Sequence, residues 1–337
     1  MKNLKLLLFT VFTTFPLYSH AQTVFRVMEY NVENLFDVTH DSLKADLEFL
    51  PTATRKWNRN RFWRKLIHLS QVISSAGENQ LPDLVMLCEV ENDSTLIYLT
   101  KRSPLRVAGY DYLMTHSPDE RGIDIALLYQ RATFKPLSFE EIEIDKTFTG
   151  NRPTRNIFHI TGQTQTRDTL DLFLCHMPSR SSGKKLTEPY RKHTAKVLRE
   201  AVEKVNTMRK TPRIIITGDF NDEPKDVSLS GILGAGEPKD SIKPTDLYNL
   251  ITGKKPGTYK YDGKWNTLDQ FIVNGNLLVK ESGHLYTAPE NIRIHQPAFL
   301  LEKDEKYGGF KPFRTYSGMR YLGGYSDHLP VVADFHW

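Results

Sequence analysis

Short apolar runs that end on carboxylate, amide or imidazole side chains constrain this chain more than any other feature of its sequence. Residues 24–30, 84–88, 123–129, 170–175, 214–217, 268–273 and 329–335 are mostly β-branched, aromatic or aliphatic and are bounded by polar or Gly/Pro residues. That is the pattern of buried strands. Residues 62–75 place Phe62, Leu66, Leu69 and Ile73 on one helical face, and residues 190–205 do the same with Ala195, Leu198, Val202 and Val205. Strands interleaved with helices predict an α/β or α+β fold. No period repeats along the chain, which argues against a solenoid or propeller. Residues 283–324, rich in Pro, Gly and aromatics, read as a long surface excursion of one domain.

The N-terminus has another logic. Lys2 and Lys5 precede an apolar run over 6–17, and Ser19-His20-Ala21 sets small residues where a signal peptidase cuts. Residues 1–21 are expected to be a signal peptide, cleaved after Ala21. The remaining 22–337 would then form a single exported domain, periplasmic or secreted. The run is short for a membrane span, and no later segment is long and apolar enough, so no transmembrane segment is expected. Loss of the two lysines lowers the formal charge from +5 to +3, which suits an anionic substrate without requiring one. Cys88 and Cys175 each sit inside an apolar run and are expected as buried free thiols. Two such cysteines make no cysteine zinc site.

Polar residues gather at the strand ends. Asn31 follows the first run, Glu89 the second, His176 another, and Asp219 and Asn221 a further one. Asp269 opens the next, and Asp327-His328 precedes the last. Ligand sites in α/β proteins form where such ends converge. Asn31, Glu89, Asp219, Asn221 and Asp327 are hard oxygen donors, suited to Mg²⁺, Mn²⁺ or Ca²⁺. Crowded carboxylates need a cation or a proton to offset their repulsion. His176 and His328 titrate ordinarily near about pH 6.5, which suits proton transfer. A cation, an acid and a base are the apparatus for hydrolysing phosphate esters.

The ordered segments MEYNVENLF, LCEVEN, RGIDIALLY, CHMPSR, GDFND, LDQFIV and SDHLPV resemble the motifs of the endonuclease/exonuclease/phosphatase superfamily. That group includes pancreatic deoxyribonuclease, abasic-site endonucleases, inositol-phosphate phosphatases and bacterial sphingomyelinases. The resemblance covers residues 24–335. It implies a four-layer sandwich of the deoxyribonuclease-I type, with two facing mixed β-sheets flanked by helices. It implies Glu89 as the main ligand of a divalent metal, Mg²⁺ foremost, with Asn31 and Asp327 beside it. Asp219 and Asn221 would orient the attacking water and the phosphate, or hold a second metal. His328 would be the general base, with Asp269 fixing its ring, and His176 would act on the phosphate or leaving group. His176 stands where the abasic-site branch has Tyr, which argues against close kinship with that branch. Arg155 resembles a phosphate-contacting residue, and Asp124 is a candidate to orient His176 or else to pair with Arg121.

Motifs shared across a superfamily do not choose the substrate. A nuclease ranks first, ahead of a sphingomyelinase-like phosphodiesterase and a sugar or inositol phosphatase. A catalytically inactive binding module is the non-enzymatic alternative, opposed by the complete set of motif residues. Residues 54–65 carry six basic residues among Trp57, Phe62 and Trp63. They read either as a nucleic-acid surface or, preferred here, as a helix start whose basic stems cover apolar surface. Glu91 opposes DNA binding. Arg180, Lys184, Lys185, Arg314 and Tyr316 are further candidates for substrate contact, and no protein partner is implied.

Overall fold

The computed structural model describes residues 24–77, 80–239 and 241–337, so the expected signal peptide lies outside the described residues. In chain order, the strands of the two large sheets are β1 (Phe25–Leu35), β2 (Leu84–Val90), β3 (Asp111–Met114), β4 (Asp124–Tyr129), β5 (Phe134–Ile142), β6 (Ile157–Thr164), β7 (Thr169–His176), β8 (Ile214–Asp219), β9 (Ala235–Gly236), β10 (Leu247–Asn249), β11 (Asp269–Asn274), β12 (Ile292–Ile294) and β13 (Val331–Phe335). One sheet runs β12-β13-β1-β2-β4-β3 and the other β5-β6-β7-β8-β11-β10-β9. Both are mixed. β1–β2 and β7–β8 are parallel, while β1–β13 and β8–β11 are antiparallel.

Side-chain alternation explains why the sheets face each other. On β7, Leu172 and Leu174 enter the core between the sheets, while Phe173 and Cys175 enter a second core on the outer face. β8 and β11 divide likewise, with Ile215, Phe271 and Val273 inward and Ile214, Ile216 and Ile272 outward. A period of two with both faces apolar forces cover on both sides. The outer face of the second sheet takes Ala195, Leu198, Val202 and Val205 of α2 (Lys184–Met208). α1 (Arg59–Ala76) covers the first sheet with Phe62, Leu66, Leu69 and Ile73. This is the expected four-layer sandwich of the deoxyribonuclease-I type. Cys88 and Cys175 are buried free thiols.

Both helices outrun their apolar patterns. α1 begins where the Asn58 side chain accepts from the backbone N–H of Asn60 and Arg61 at 3.1 and 3.2 Å, an N-cap. α2 starts ahead of Pro189, whose missing N–H falls within its first two turns. Strands β5 and β6 escape the sequence pattern. β5 is largely exposed, and β6 carries His159 and Thr161, which bond to the buried Asp171 at 3.1 and 2.7 Å.

The basic segment packs as its structural reading expects. Trp57 is buried and donates to the Phe36 carbonyl at 2.9 Å. Lys65, 1% exposed, donates to Thr315 Oγ1 at 2.7 Å and to the Tyr325 carbonyl at 2.5 Å. Arg55 lies over the rings of Phe49 and Tyr316, and Arg61 over Tyr321. These contacts clamp the chain just before Asp327. Residues 283–324 are therefore more than a surface excursion. They supply β12 at the sheet edge and two short hairpins, Leu301–Lys303 with Phe310–Pro312 and Tyr316–Ser317 with Arg320–Tyr321.

Candidate active site

Strand register assembles the site. β7 and β8 run parallel and end together, with His176 opposite Asp219. β11 enters from the other direction and sets Asp269 opposite Asp219. Three polar side chains thus form one row at one end of the second sheet. Close approach of β7 and β8 requires Gly218. Its φ is +139°, and a Cβ there would stand 1.9 Å from the Cys175 carbonyl oxygen. From the facing sheet, β1 carries Asn31 and β2 carries Glu89. Glu89 sits at an irregularity of β2, with φ +69°, an uncommon conformation for a non-glycine residue. Asn221 also has positive φ, +51°, in the turn after β8.

Asn31 joins the two sheets. Its Nδ2 donates to Glu89 Oε1 at 3.3 Å and to Asp219 Oδ2 at 3.1 Å. Its Oδ1 accepts the Glu33 N–H at 3.0 Å. Glu89 Oε2 accepts the Asn34 N–H at 2.9 Å, and Asp219 Oδ1 accepts the Asn221 N–H at 2.8 Å. His328 Nδ1 bonds both oxygens of Asp269, at 3.0 and 2.8 Å. Its Nε2 is left facing Asp219 Oδ2 at 3.9 Å. His176 Nε2 lies 3.7 Å from Asp219 and 3.9 Å from Glu89. Asp327 accepts from Arg314 at 2.7 Å, and Arg314 also lies 3.6 Å from Glu33. Glu89, His176, Asp219, Asn221, Asp327 and His328 all line one cavity of about 570 Å³.

Burial and crowding set the protonation states. Burial, with Asp269 and Glu89 nearby, pushes the Asp219 carboxyl up to about 7 against the pull of His328. Burial works against the charged His328 ring, but Asp269, Asp219 and Asp327 together outweigh it and hold the ring well above its ordinary value. Burial, then Arg155, Arg121 and His328, hold His176 well below its ordinary value, and its Nδ1 has no partner. The two imidazoles are therefore driven apart, one toward accepting a proton and one toward staying neutral.

A divalent cation suits this donor set. Glu89, Asp219 and Asp327 offer hard oxygens to the cavity, and burial, with Asp269 and Glu89 nearby, disfavours the charged Asp219 carboxylate that a cation would stabilise. Asp219, Asp269 and His328 also present ligand atoms within 4.8 Å of one another. Asp269 is fully buried and both its oxygens already engage His328, so the cavity-facing carboxylates are the better cradle. The expected trio of Asn31, Glu89 and Asp327 is divided by this geometry. Asn31 turns its amide N–H toward the carboxylates, and Asp327 is paired with Arg314.

The other expected residues fall out as follows. Asp124 contacts neither His176 nor Arg121. Its Oδ1 accepts from Thr115 Oγ1 at 2.7 Å and the Ser117 N–H at 2.8 Å, so it braces a buried turn. Arg155 is buried against Asp119 at 3.1 Å and the Met177 carbonyl at 2.7 Å, beside the main cavity rather than in it. Arg180 and Lys184 line the cavity while paired with Asp226 at 3.0 and 2.7 Å. Tyr316 packs against Trp57 and Tyr321 and does not line the cavity. Asp222 is buried 2.8 Å from Arg191 and anchors the turn bearing Asn221.

One element of the wall lies outside every motif. The hairpin Tyr259–Tyr261 with Lys264–Asn266 brings Tyr259, Tyr261 and Asn266 to the cavity, with the Tyr259 ring 4.9 Å from His328. Its signal was the dipeptide Asp262-Gly263, both at positive φ (+47° and +78°), which a two-residue hairpin turn requires.

The chain belongs to the endonuclease/exonuclease/phosphatase family, whose model matches residues 26–336. The fold is shared with solved structures of low identity. A mannosyl-6-phosphatase from Bacteroides thetaiotaomicron is 16% identical, with 93% of this chain and 99% of that one covered and a TM-score of 0.56. D. rerio TDP2 with a single-strand DNA product is 16% identical, covering 94% and 100%, TM-score 0.54. The human Nocturnin catalytic domain with bound sulfate is 18% identical, covering 93% of each chain, TM-score 0.53. No curated protein sequence matches. Membership of this family makes the chain a hydrolase of phosphoester bonds.

Proposed function

We propose that this protein is an exported, divalent-metal-dependent phosphodiesterase that acts on nucleic acid. The observation that carries the chemistry is the Asp269–His328 pair beside Asp219 on the wall of one cavity. Asp269 holds the proton on Nδ1 and leaves Nε2 facing the cavity as the atom that takes a proton from an attacking water. Asn221, fixed by Met177 and Asp219, orients the water or a phosphoryl oxygen. His176, neutral and with one unpaired nitrogen, hydrogen-bonds the phosphate or leaving group. Glu89 and Asp219 would hold the cation, with Asp327 at the rim. When bound, Mg²⁺ or a similar ion would polarise the phosphoryl oxygen and offset developing charge.

Nucleic acid is favoured by the cavity wall rather than by residues 54–65, whose basic stems pack on aromatics. Tyr261 is 70% exposed on that wall, a flat ring free to stack on a base. Arg121 lines the same cavity and offers it a positive charge. A small sugar phosphate is the second reading, favoured by the limited volume of the cavity. Export rests on the sequence of residues 1–21; among the described residues no helix is long and apolar enough to cross a membrane. The test is hydrolysis of DNA, RNA, sphingomyelin and a sugar phosphate side by side with Mg²⁺, Mn²⁺ or Ca²⁺, with His328→Ala as control. Cleavage of nucleic acid, lost in the variant and in excess chelator, is the expected result. Turnover of sugar phosphate alone would replace the substrate, and turnover in chelator would remove the metal.

A further inference from the structure

Tyr259, on the hairpin of the cavity wall, is fixed from both sides. Thr258 before it is fully buried. Its Oγ1 accepts the N–H of Leu268 at 3.1 Å and of Asp269 at 3.2 Å, and its carbonyl accepts the Leu329 N–H at 2.7 Å. These bonds tie the hairpin to the two segments that carry Asp269 and His328. After it, Lys260 Nζ lies 2.8 Å from Asp304 and donates to the Gly308 and Phe310 carbonyls at 3.1 and 3.2 Å. Side chains alternate along a strand, so Tyr259 turns the opposite way from Lys260, into the catalytic cavity. Its main chain bridges to His328, and its ring lies 4.9 Å from the imidazole.

The Tyr259 hydroxyl is open to the cavity, and among the described residues it has no hydrogen-bond partner. The groups around it are acceptors or donors already engaged. Ionised Glu89, Asp219 and Asp327 have no proton to give, and neutral His328 presents a bare Nε2. Of the donors nearby, Asn31 bonds Glu89 and Asp219, Arg314 bonds Asp327, and Asn221 Nδ2 bonds the Met177 carbonyl. Burial, then Asp327, raise the phenol above its ordinary value against the pull of His328 and Arg314, so it keeps its proton. A donor held in place before reaction stabilises charge as it develops, without the cost of reorganising.

We propose that the Tyr259 hydroxyl donates a hydrogen bond to a non-bridging phosphoryl oxygen of the bound substrate, as a further catalytic residue beside the His328 base. The bond strengthens as negative charge gathers on that oxygen in the transition state, so it acts on kcat more than on KM. A ring that merely packs against the imidazole would do neither, and the two roles separate at the hydroxyl. The inference rests on the reading of this cavity as a phosphoesterase site.

Tyr259→Phe in the full chain removes the hydroxyl and keeps the ring. In hydrolysis of bis(p-nitrophenyl) phosphate with Mg²⁺, kcat should fall about 10–100-fold, the weight of one hydrogen bond to a charged group. KM should change little, and the acid limb of the pH profile should stay in place. Calorimetric binding of orthovanadate, a mimic of the five-coordinate transition state, and of inorganic phosphate gives a readout without turnover. Vanadate should bind about tenfold more weakly to the variant, with phosphate little affected. A variant equal to wild type in both kcat and vanadate binding would reduce Tyr259 to packing and overturn the proposal. A fall in kcat with a displaced acid limb would place the effect on His328 and overturn it as well. If the wild type hydrolyses no phosphate ester yet vanadate binding weakens in the variant, the phosphoesterase reading fails and the Tyr259 contact stands.

Discussion

Replacing Asp269 with Asn tests the centre of the mechanism with the smallest change of shape. Asp269 places both oxygens within 3.0 Å of His328 Nδ1, so once the pH exceeds its raised value the neutral wild-type ring carries its proton there and exposes a bare Nε2. A charge-assisted bond of this kind contributes about 1.5–3 kcal/mol, or roughly ten- to a hundredfold in rate. The substitution removes that charge, and the new amide can also turn an N–H toward Nδ1. The ring would then carry its proton on Nε2, the atom needed to accept one. Loss of charge and loss of the correct tautomer together predict a fall in kcat/KM of about 10²–10⁴-fold, the range of general-base catalysis. The pH profile supplies a second readout. Asp269 is the strongest influence raising the His328 ring above its ordinary value, so its neutralisation lowers that value. The acid limb of kcat/KM should move to lower pH while the plateau falls. The assay is hydrolysis of bis(p-nitrophenyl) phosphate with Mg²⁺ between pH 5 and 10, with circular dichroism confirming the fold. A plateau within a few-fold of wild type and an unmoved acid limb would refute the assignment of His328 as base.

Other expectations follow from single contacts. Glu89→Gln keeps the Asn34 contact but removes a charge from the cavity, and the metal concentration for half-maximal activity should rise at least tenfold. An unchanged metal titration removes Glu89 from the ligands. Gly218→Ala pushes a methyl group into the Cys175 carbonyl and should cost about 1–3 kcal/mol in urea unfolding; an unchanged midpoint would show that β7 and β8 can separate freely. Burial raises the Glu91 carboxyl to about 8, only partly opposed by the Asp37 N–H. A raised carboxylic acid favours the folded state below its unfolded value, near pH 4.3, and that advantage is lost as pH rises through about 8. Glu91→Gln should therefore raise Tm at pH 8.5 and leave it nearly unchanged at pH 4. A constant difference across that range would contradict the sign. Lys65→Met removes the two bonds that Lys65 Nζ makes to the chain before Asp327, leaves buried acceptors unpaired, and should lower both activity and Tm; calorimetry beside the kinetic assay tests this, and an unchanged Tm with unchanged activity would refute the clamp.

The positions legible in sequence are those where local and global demands coincide. Asp219 and Asn221 occupy a strand-to-turn junction whose chemistry shows in GDFND, and Asp327-His328 precedes the mostly apolar run that forms β13. The apolar periods of 62–75 and 190–205 mark the faces that α1 and α2 bury. Strand β5 was hidden because one exposed edge strand needs little apolar patterning. Asp124 lies within the motif RGIDIALLY and Arg155 resembles a phosphate-contacting residue, yet they bond to Thr115 and Asp119. A residue's proximity along the chain says little about which way its side chain leaves a turn.

By itself the sequence determined the two-sided sheets, the helices that cover them, the family motifs and the set of carboxylates, amides and imidazoles at strand ends. Tertiary structure alone decided how those groups meet. The register of β7, β8 and β11 put His176, Asp219 and Asp269 in one row. The facing of two sheets brought Asn31 and Glu89 against that row, and the clamp by Lys65 set Asp327 and His328 over it. Pairing between residues tens to hundreds of positions apart has no local signature, because it is selected by burial of both sheet faces at once rather than by any stretch of chain.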